Sequence, residues 1–325
     1  MSVAELPRPT CTVHRGPRID QANGFDVIAC ETCGFTHIDP IPTPAELEEI
    51  YRDAYYSTEK PLYIERYQED LAWWNLVYSE RYDTFEQLLP GTRRVITDIG
   101  SGPGYFLLHG KNRGWSTLGI EPSRQAAAHS RGLGLEIREL MLDESTAGDI
   151  GTSDVIHLSA VLEHLPDPRA MVRIAHRLLK DDGILCIAVP NDYSPFQQVL
   201  REECGFKPWW VAPPHHINYF DFESLQRLLR SEGYMIERAE ATFPIDLFLL
   251  MGDDYTANDA LGRECHRKRM RFEQTLAAAG RSALKRDLYA TLARHGIGRE
   301  AVVYARKLNR DSASAASKGA RETAG

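Results

Sequence analysis

From about residue 91 onward, apolar positions along this chain fall into two alternating rhythms. Short runs rich in β-branched residues, such as Val95-Ile-Thr-Asp-Ile99 and Ile184-Leu-Cys-Ile-Ala-Val189, have the pattern of buried parallel strands. Between them, apolar residues recur at three- and four-residue spacing, the pattern of amphipathic helices. Strands are expected at 93–99, 116–120, a short 135–138, 154–159, 184–189, 235–241 and 301–307. Helices are expected over 105–113, from the cap Ser123 to 131, over 170–179 and over 222–231. This alternation predicts a doubly wound α/β sheet, with ligands bound beyond the carboxyl ends of its strands.

Residues 1–90 read differently. Asp39-Pro-Ile-Pro-Thr-Pro44 is a proline-punctuated connector, and Thr43, Pro44 and Glu46 spell the start of a helix running to about Tyr51. A longer helix is expected from about Leu62 to Leu89. Its stripe of Tyr67, Leu71, Trp74, Tyr78, Tyr82 and Phe85 either packs on the sheet or covers the mouth of a site. The predicted organisation is a module at 1–42, a helical linker or cap at 43–90 and a main domain at 91–310. A small, polar tail at 311–325 is expected to be disordered. Inside the main domain, residues 242–300 separate the last two strands. Their charged part, 258–295, reads as helices with solvated faces.

Composition narrows the class. With 325 residues, 43% hydrophobic and 26% charged, the chain has the make-up of a soluble globular protein. A formal charge of −8 argues against a nucleic-acid or anionic-membrane partner, since no phosphate-neutralising excess exists. The N-terminus lacks an apolar signal core, and the run Leu247–Met251 is too short to span a bilayer. A cytoplasmic location is the resulting expectation.

Of six cysteines, Cys186, Cys204 and Cys265 are scattered. Cys11-Thr-Val-His14 and Cys30-Glu-Thr-Cys33 instead form two ligand pairs at the spacing of a zinc knuckle. Thiolates with an imidazole suit tetrahedral zinc, and four protein ligands would close the coordination sphere of a structural ion. A disulfide, a redox dithiol at Cys30 and Cys33, and coincidence are the competing readings.

The strand at 93–99 runs into Asp98-Ile-Gly-Ser-Gly-Pro-Gly104, with glycines at alternate positions before a helix start. Glycine lets backbone adopt positive φ and approach a ligand closely. The helix N-terminus aims free N–H groups at the same spot. Glu121, about twenty residues on, ends the next strand where an acid can accept from both hydroxyls of a ribose. A nicotinamide cofactor and S-adenosylmethionine (SAM) both present that diol. The spacing is G-x-G-x-G rather than the dinucleotide G-x-G-x-x-G.

Together, Asp98–Gly104, Gly119-Ile-Glu-Pro122, Asp154-Val-Ile-His-Leu-Ser-Ala-Val-Leu-Glu-His-Leu-Pro-Asp-Pro168 and Leu178-Leu-Lys-Asp-Asp-Gly-Ile-Leu-Cys-Ile-Ala-Val-Pro-Asn191 resemble successive motifs of class I SAM-dependent methyltransferases. The N-terminal module resembles that of bacterial sugar and natural-product methyltransferases, and the fourth-strand motif resembles that of ubiquinone-pathway O-methyltransferases. The resemblance implies a Rossmann-like, seven-stranded methyltransferase sheet with a helical insertion before its last strand. It implies that Gly100, Gly102 and Gly104 frame the methionine part of SAM and that Asp98 organises that loop. Glu121 would hold the ribose, Pro122 would pack beside the adenine, and Met141 and Leu142 would lie at the adenine edge. Ser159 and Ala160 would line the donor. Ala160 stands where magnesium-assisted relatives carry an additional acid, which argues against a catalytic metal.

Methyl transfer from a sulfonium asks the protein to align a nucleophile and take its proton. An imidazole suits that role. His164 after the fourth strand and His215 and His216 in Pro213-Pro-His-His-Ile-Asn-Tyr219 are the candidates, with Tyr219 beside the acceptor. Asp253, Asp254 and Tyr255 of the insertion are expected to reach over the site. The expected function is methylation of a small-molecule acceptor such as a sugar, a nucleotide-sugar or a natural-product intermediate, on oxygen or carbon rather than nitrogen. The alternatives are an NAD-dependent oxidoreductase or epimerase, and a SAM-binding zinc protein without turnover.

Overall fold

Three antiparallel strands open the described chain in the computed structural model, which covers residues 13–43, 46, 63–89, 91 and 94–308. They are β1 (Arg18–Ala22), β2 (Phe25–Cys30) and β3 (Phe35–Asp39). Asn23 and Gly24, both at positive φ, form the two-residue turn between β1 and β2 that an Asn-Gly pair favours. The sequence reading placed metal ligands here but no strands. Cys11, most of the helix begun by Thr43, and the tail lie outside the described residues. Thr43 does bond Glu46, through its amide and its hydroxyl, both at 2.7 Å.

The helix expected over 62–89 is two helices, α1 (Tyr63–Glu69) and α2 (Leu71–Leu88). Asp70 stands at the break, and its carboxylate leaves the helix to meet Arg263 at 3.3 Å and His266 at 3.0 Å. Tyr78, Tyr82 and Phe85 of α2 pack into the core with Phe106 and Trp115.

The main domain then runs β4 (Val95–Ile99), α3 (Tyr105–Asn112), β5 (Ser116–Ile120), α4 (Arg124–Gly132) and β6 (Glu136–Arg138). Next come β7 (Ser153–Ser159), α5 (Pro168–Leu178), β8 (Leu179–Pro190), α6 (Pro195–Glu202), β9 (Asn218–Tyr219), α7 (Phe222–Ser231) and β10 (Tyr234–Ala241). The insertion carries α8 (Asp246–Leu250), α9 (Asp259–Ala278) and α10 (Ser282–Arg294), and β11 (Glu300–Lys307) completes the sheet. The expected turn at Asp181–Gly183 is absorbed into the start of β8. Asp182 keeps a positive φ there, and the pairing with β7 slips register between Ser153 and Val155.

Seven strands lie in the order β10-β11-β8-β7-β4-β5-β6. β11 is antiparallel to both neighbours, and the strands from β8 to β6 are parallel. The order of connection reverses between β4 and β7, so a crevice opens beyond their carboxyl ends. β9 leaves this sheet and pairs with β3, making a fourth strand for the N-terminal one. The Tyr193 hydroxyl and Arg201 also reach Asp20 of β1, at 2.9 and 2.8 Å. Among the described residues, no helix is long and apolar enough to cross a membrane.

Candidate functional site

β4 ends at Asp98-Ile99, and the chain turns through Gly100, Gly102 and Gly104 at φ of 72°, 52° and 80°. At Gly104, which opens α3, an added Cβ would stand 2.6 Å from Ser130 Oγ and 2.7 Å from Leu135 Cδ1. The buried Asp98 accepts at Oδ1 from His157 Nδ1 at 2.7 Å, and Arg81 of α2 lies 2.9 Å from His157 Nε2. A guanidinium only donates, so His157 carries its proton on Nδ1 and is neutral. Burial, with the Arg81 charge added, holds its pKa below the ordinary imidazole value against the pull of Asp98. The chain from Arg81 through His157 fixes how Asp98 faces the glycine turn.

Glu121, buried at the end of β5, accepts from the Gly102 N–H at Oε2 and from the Ser123 N–H at Oε1, both at 2.8 Å. Burial pushes its pKa up to about 6 against these two donors. The same carboxylate that would take a ribose therefore already pins the glycine turn to β5. Ser123 caps α4 as expected, accepting from the Ala126 N–H. Of the adenine-edge pair, Leu142 is buried and Met141 is exposed.

Beyond the carboxyl ends of β4 and β7 lies a cavity of about 310 Å³. Its floor is Asp98, Gly100, Gly102, His157, Ser159 and Ala160, the last at a positive φ of 54°. Tyr67, Trp73 and Trp74 of the cap helices form one wall. Arg269, Glu273, Lys285, Arg286 and Tyr289 of the insertion form the roof, and Glu240, Arg299 and Glu300 close the sheet side. Cap and roof are clasped together: Trp73 Nε1 donates to Glu273 at 2.6 Å, and the buried Lys285 meets Glu80 of α2 at 2.7 Å. The aromatic stripe thus does both of the things weighed for it. Its C-terminal part is core, and its N-terminal part walls the site.

The other predicted acceptor residues stand outside the lining of this cavity. His164 donates from Nδ1 to the His215 carbonyl at 2.6 Å, and its ring meets His216 edge-on at 5.0 Å. Tyr219 is buried in β9, its hydroxyl donating to the His216 carbonyl and accepting from the Ala212 N–H. Asp253 pairs with Lys268, Asp254 binds Thr256, and Tyr255 reaches Asp246. The insertion does roof the site, but through α9 and α10 rather than through 253–255. A carboxylate and two imidazoles, Glu163, His164 and His216, come within 4.8 Å of one another beside this loop.

In the N-terminal sheet, His14, Cys30, Cys33 and His37 place one donor atom each within 4.8 Å of one another. His14 Nδ1 lies 3.3 Å from Cys33 Sγ and 3.9 Å from Cys30 Sγ. Ligands of a tetrahedral zinc are roughly 3.6 Å apart, given bonds of about 2.0–2.3 Å. His37 donates from Nδ1 to the Ile38 carbonyl at 2.8 Å, which leaves the lone pair on Nε2. That nitrogen is buried with no hydrogen-bond partner among the described residues. Burial raises the Cys30 thiol, but the N–H groups of Cys33, Arg15 and Thr32 outweigh it and hold the pKa below the ordinary value. Two thiolates and two imidazoles at these separations fit zinc. The sequence reading missed His37, four residues beyond Cys33 on β3. Its position immediately after the cysteine pair was the available signal.

A family model for a methyltransferase domain matches residues 67–239, more than half of the chain. The chain belongs to the class I SAM-dependent methyltransferases. Curated relatives include a ubiquinone biosynthesis O-methyltransferase of Pseudomonas paraeruginosa, 28% identical over 104 residues, which cover 30% of this chain and 45% of the relative. The Ralstonia nicotianae protein of the same description is 28% identical over 145 residues, covering 39% and 60%. The chain thus spans about half the length of the curated relatives it matches. Among solved structures, a SAM-dependent methyltransferase from Archaeoglobus fulgidus aligns with a TM-score of 0.46 at 17% identity, covering 71% of this chain and 93% of that one.

Within this methyltransferase the family match begins in α1 and ends in β10. It includes the glycine turn, Glu121 and the floor of the cavity, and excludes the cluster of His14, Cys30, Cys33 and His37 and the roof. A raised Glu121 pKa gives a first prediction. A ribose diol donates to the carboxylate and not to the protonated acid, so affinity for S-adenosylhomocysteine (SAH) should fall by up to about tenfold per pH unit below about pH 6. Calorimetric titrations from pH 5 to 8 check this, and Glu121→Gln should flatten the profile. An equal slope in the variant would assign the effect to another group.

Proposed function

We propose that this methyltransferase moves a methyl group from SAM to a small, polar acceptor on oxygen or carbon, and that zinc holds its N-terminal module. The observation that carries the reading is the roofed cavity, whose floor is the glycine turn and the end of β7. Bound SAM supplies an electrophilic methyl on a sulfonium. The chain supplies position and proton management. Asp98, oriented by His157 and Arg81, presents a carboxylate at the glycine turn for the donor's ammonium. Glu121 takes the ribose. The aromatic wall and the clasp between Trp73 and Glu273 exclude water, which strengthens every charge interaction inside.

For the acceptor's proton, Glu80 and Glu240 are carboxylates at the cavity whose pKa burial raises above the ordinary carboxylate value. His164, His215 and His216 are proposed to shape the loop beside the end of β7, since His164 ties itself to the His215 carbonyl. A sugar, nucleotide-sugar or natural-product intermediate fits the polar lining. His14, Cys30, Cys33 and His37 would hold zinc in a closed, structural sphere. Thermal-shift titrations with SAM, SAH and NAD test the donor. SAM and SAH should stabilise the protein and NAD should not. Stabilisation by NAD alone would falsify the reading.

A further inference from the structure

The chain leaving β7 is held in place from outside its own sheet. After Ser159 it passes through Ala160, at a positive φ of 54°, and Val161 into a short 3-10 turn, Leu162–His164. The turn's own bonds are few. The His164 N–H donates to the Val161 carbonyl at 3.0 Å, and the Leu165 N–H reaches the Leu162 carbonyl only at 3.4 Å. Shorter bonds come from β9. Asn218 donates from Nδ2 to the Leu162 carbonyl at 2.8 Å and to the Leu165 carbonyl at 2.7 Å, bracketing the turn. Beside it, the Ile217 N–H donates to the Glu163 carbonyl at 2.7 Å.

Asn218 is buried, and its Oδ1 has no hydrogen-bond partner among the described residues. A buried amide oxygen left unmet costs stability, so packing alone would not favour an amide here. Two carbonyl acceptors also fix which end of the amide faces the turn, because only its nitrogen donates. The side chain's contribution is therefore the two donated bonds.

The bracketed turn abuts the donor site. A Cβ added at Gly100 would stand 2.6 Å from Val161 Cγ2, so Val161 packs directly on the glycine turn. Ala160 shares the cavity floor with Gly100 and Gly102, whereas Asn218 stands outside the cavity lining. On its other side β9 pairs with β3. Asn218 is there the register partner of His37, and the Ile217 carbonyl accepts from the Ile38 N–H at 2.9 Å. The N-terminal sheet, the turn after β7 and the glycine turn thus form one run of contacts.

We propose that Asn218 is a positioning residue for the methyl donor. Its two bonds hold the turn after β7, and Val161 in turn keeps the glycine turn in the shape that receives SAM. This rests on the methyltransferase reading of the cavity. It also gives the N-terminal sheet, whose first three strands lie outside the family match, a part in donor binding.

The test uses the full chain and SAH. Asn218→Asp keeps the shape of the side chain but turns both donations into contacts between oxygens. It should weaken SAH by roughly tenfold or more in titration calorimetry, and Asn218→Ala by about fivefold. Tyr193→Phe is the control. It removes the hydroxyl that reaches Asp20 of β1 at 2.9 Å, loosening the N-terminal sheet without touching the turn. Its melting temperature should fall while SAH affinity stays within about twofold of wild type. A merely structural Asn218 would behave as this control does. The route is read from a double-mutant cycle. Asn218→Ala combined with Val161→Ala should bind SAH within about twofold of Val161→Ala alone. One measurement needs no variant. Coupling is reciprocal, so saturating wild type with SAH should slow hydrogen exchange over 215–219 about fivefold. The proposal is overturned if Asn218→Asp keeps wild-type SAH affinity, if Tyr193→Phe loses as much, if the cycle is fully additive, or if exchange over 215–219 ignores SAH. Failure of SAH to bind wild type would instead remove the methyltransferase reading.

Discussion

The double variant Cys30→Ser, Cys33→Ser is expected to purify without the one equivalent of zinc proposed for wild type, and to melt roughly 10 °C lower. The two thiolates supply half of the four-donor cluster, and serine oxygen is a poor substitute for a soft ligand. The loss should not stay local. β3, which carries His37, pairs with β9, and Ile38 donates to the Ile217 carbonyl at 2.9 Å. Asn23 also donates to the Pro213 carbonyl at 2.8 Å. Loosening the cluster therefore loosens the loop from 213 to 219, and hydrogen exchange there should rise. Elemental analysis with calorimetry reads the first effect. A wild-type protein that melts identically before and after exhaustive chelation, with no metal at the outset, would end the zinc proposal.

Gly104→Val should reduce SAH affinity at least a hundredfold. A β-branched residue at φ 80° is strained, and its Cβ would meet Ser130 and Leu135 at under 3 Å. Relief requires the turn to move. That turn is held by the Ser130 hydroxyl, which donates to the Gly102 carbonyl at 3.0 Å, and by Glu121 on the Gly102 N–H. A shift of even an ångström would misplace the backbone on which the donor's methionine portion is proposed to rest. Titration calorimetry against wild type measures the loss, with far-UV circular dichroism to verify folding. Near-wild-type affinity would mean that SAH does not contact the glycine turn.

Why some of this was legible in the chain and some not follows from where side-chain pattern has a single reading. Ile184–Val189 is buried on both faces, so its uninterrupted apolar run marks it directly, and the β-branched residues of Val95–Ile99 mark that strand around the buried Thr97 and Asp98. Asp98, the alternate glycines and Glu121 are adjacent in sequence to the turn that they build. The roof is different. Arg269 and Glu273 lie one helical turn apart, as do Lys285 and Tyr289, and along a charged helix such pairs look like solvated faces. Only the empty space beneath them and the Trp73 indole opposite turn them inward. His37 was missed for a related reason. A histidine between Thr36 and Ile38 on a half-buried strand reads as core, and its place four residues after Cys33 is a weak cue until His14 is folded against it, ring centroids 4.6 Å apart. The Asn23-Gly24 turn was a local signal in plain view.

The pairing of β3 with β9 also sets a timetable. Its partners are separated by roughly 180 residues of chain, which a ribosome producing about 5–20 residues per second covers in on the order of 10–40 s. During that interval β3 has an open edge of the kind that recruits other chains. All four residues proposed to hold zinc, by contrast, precede residue 40. An ion captured early would keep the nascent hairpin in register until its last strand arrives, so zinc scarcity would be felt during synthesis, as aggregation, before it was felt by the finished enzyme.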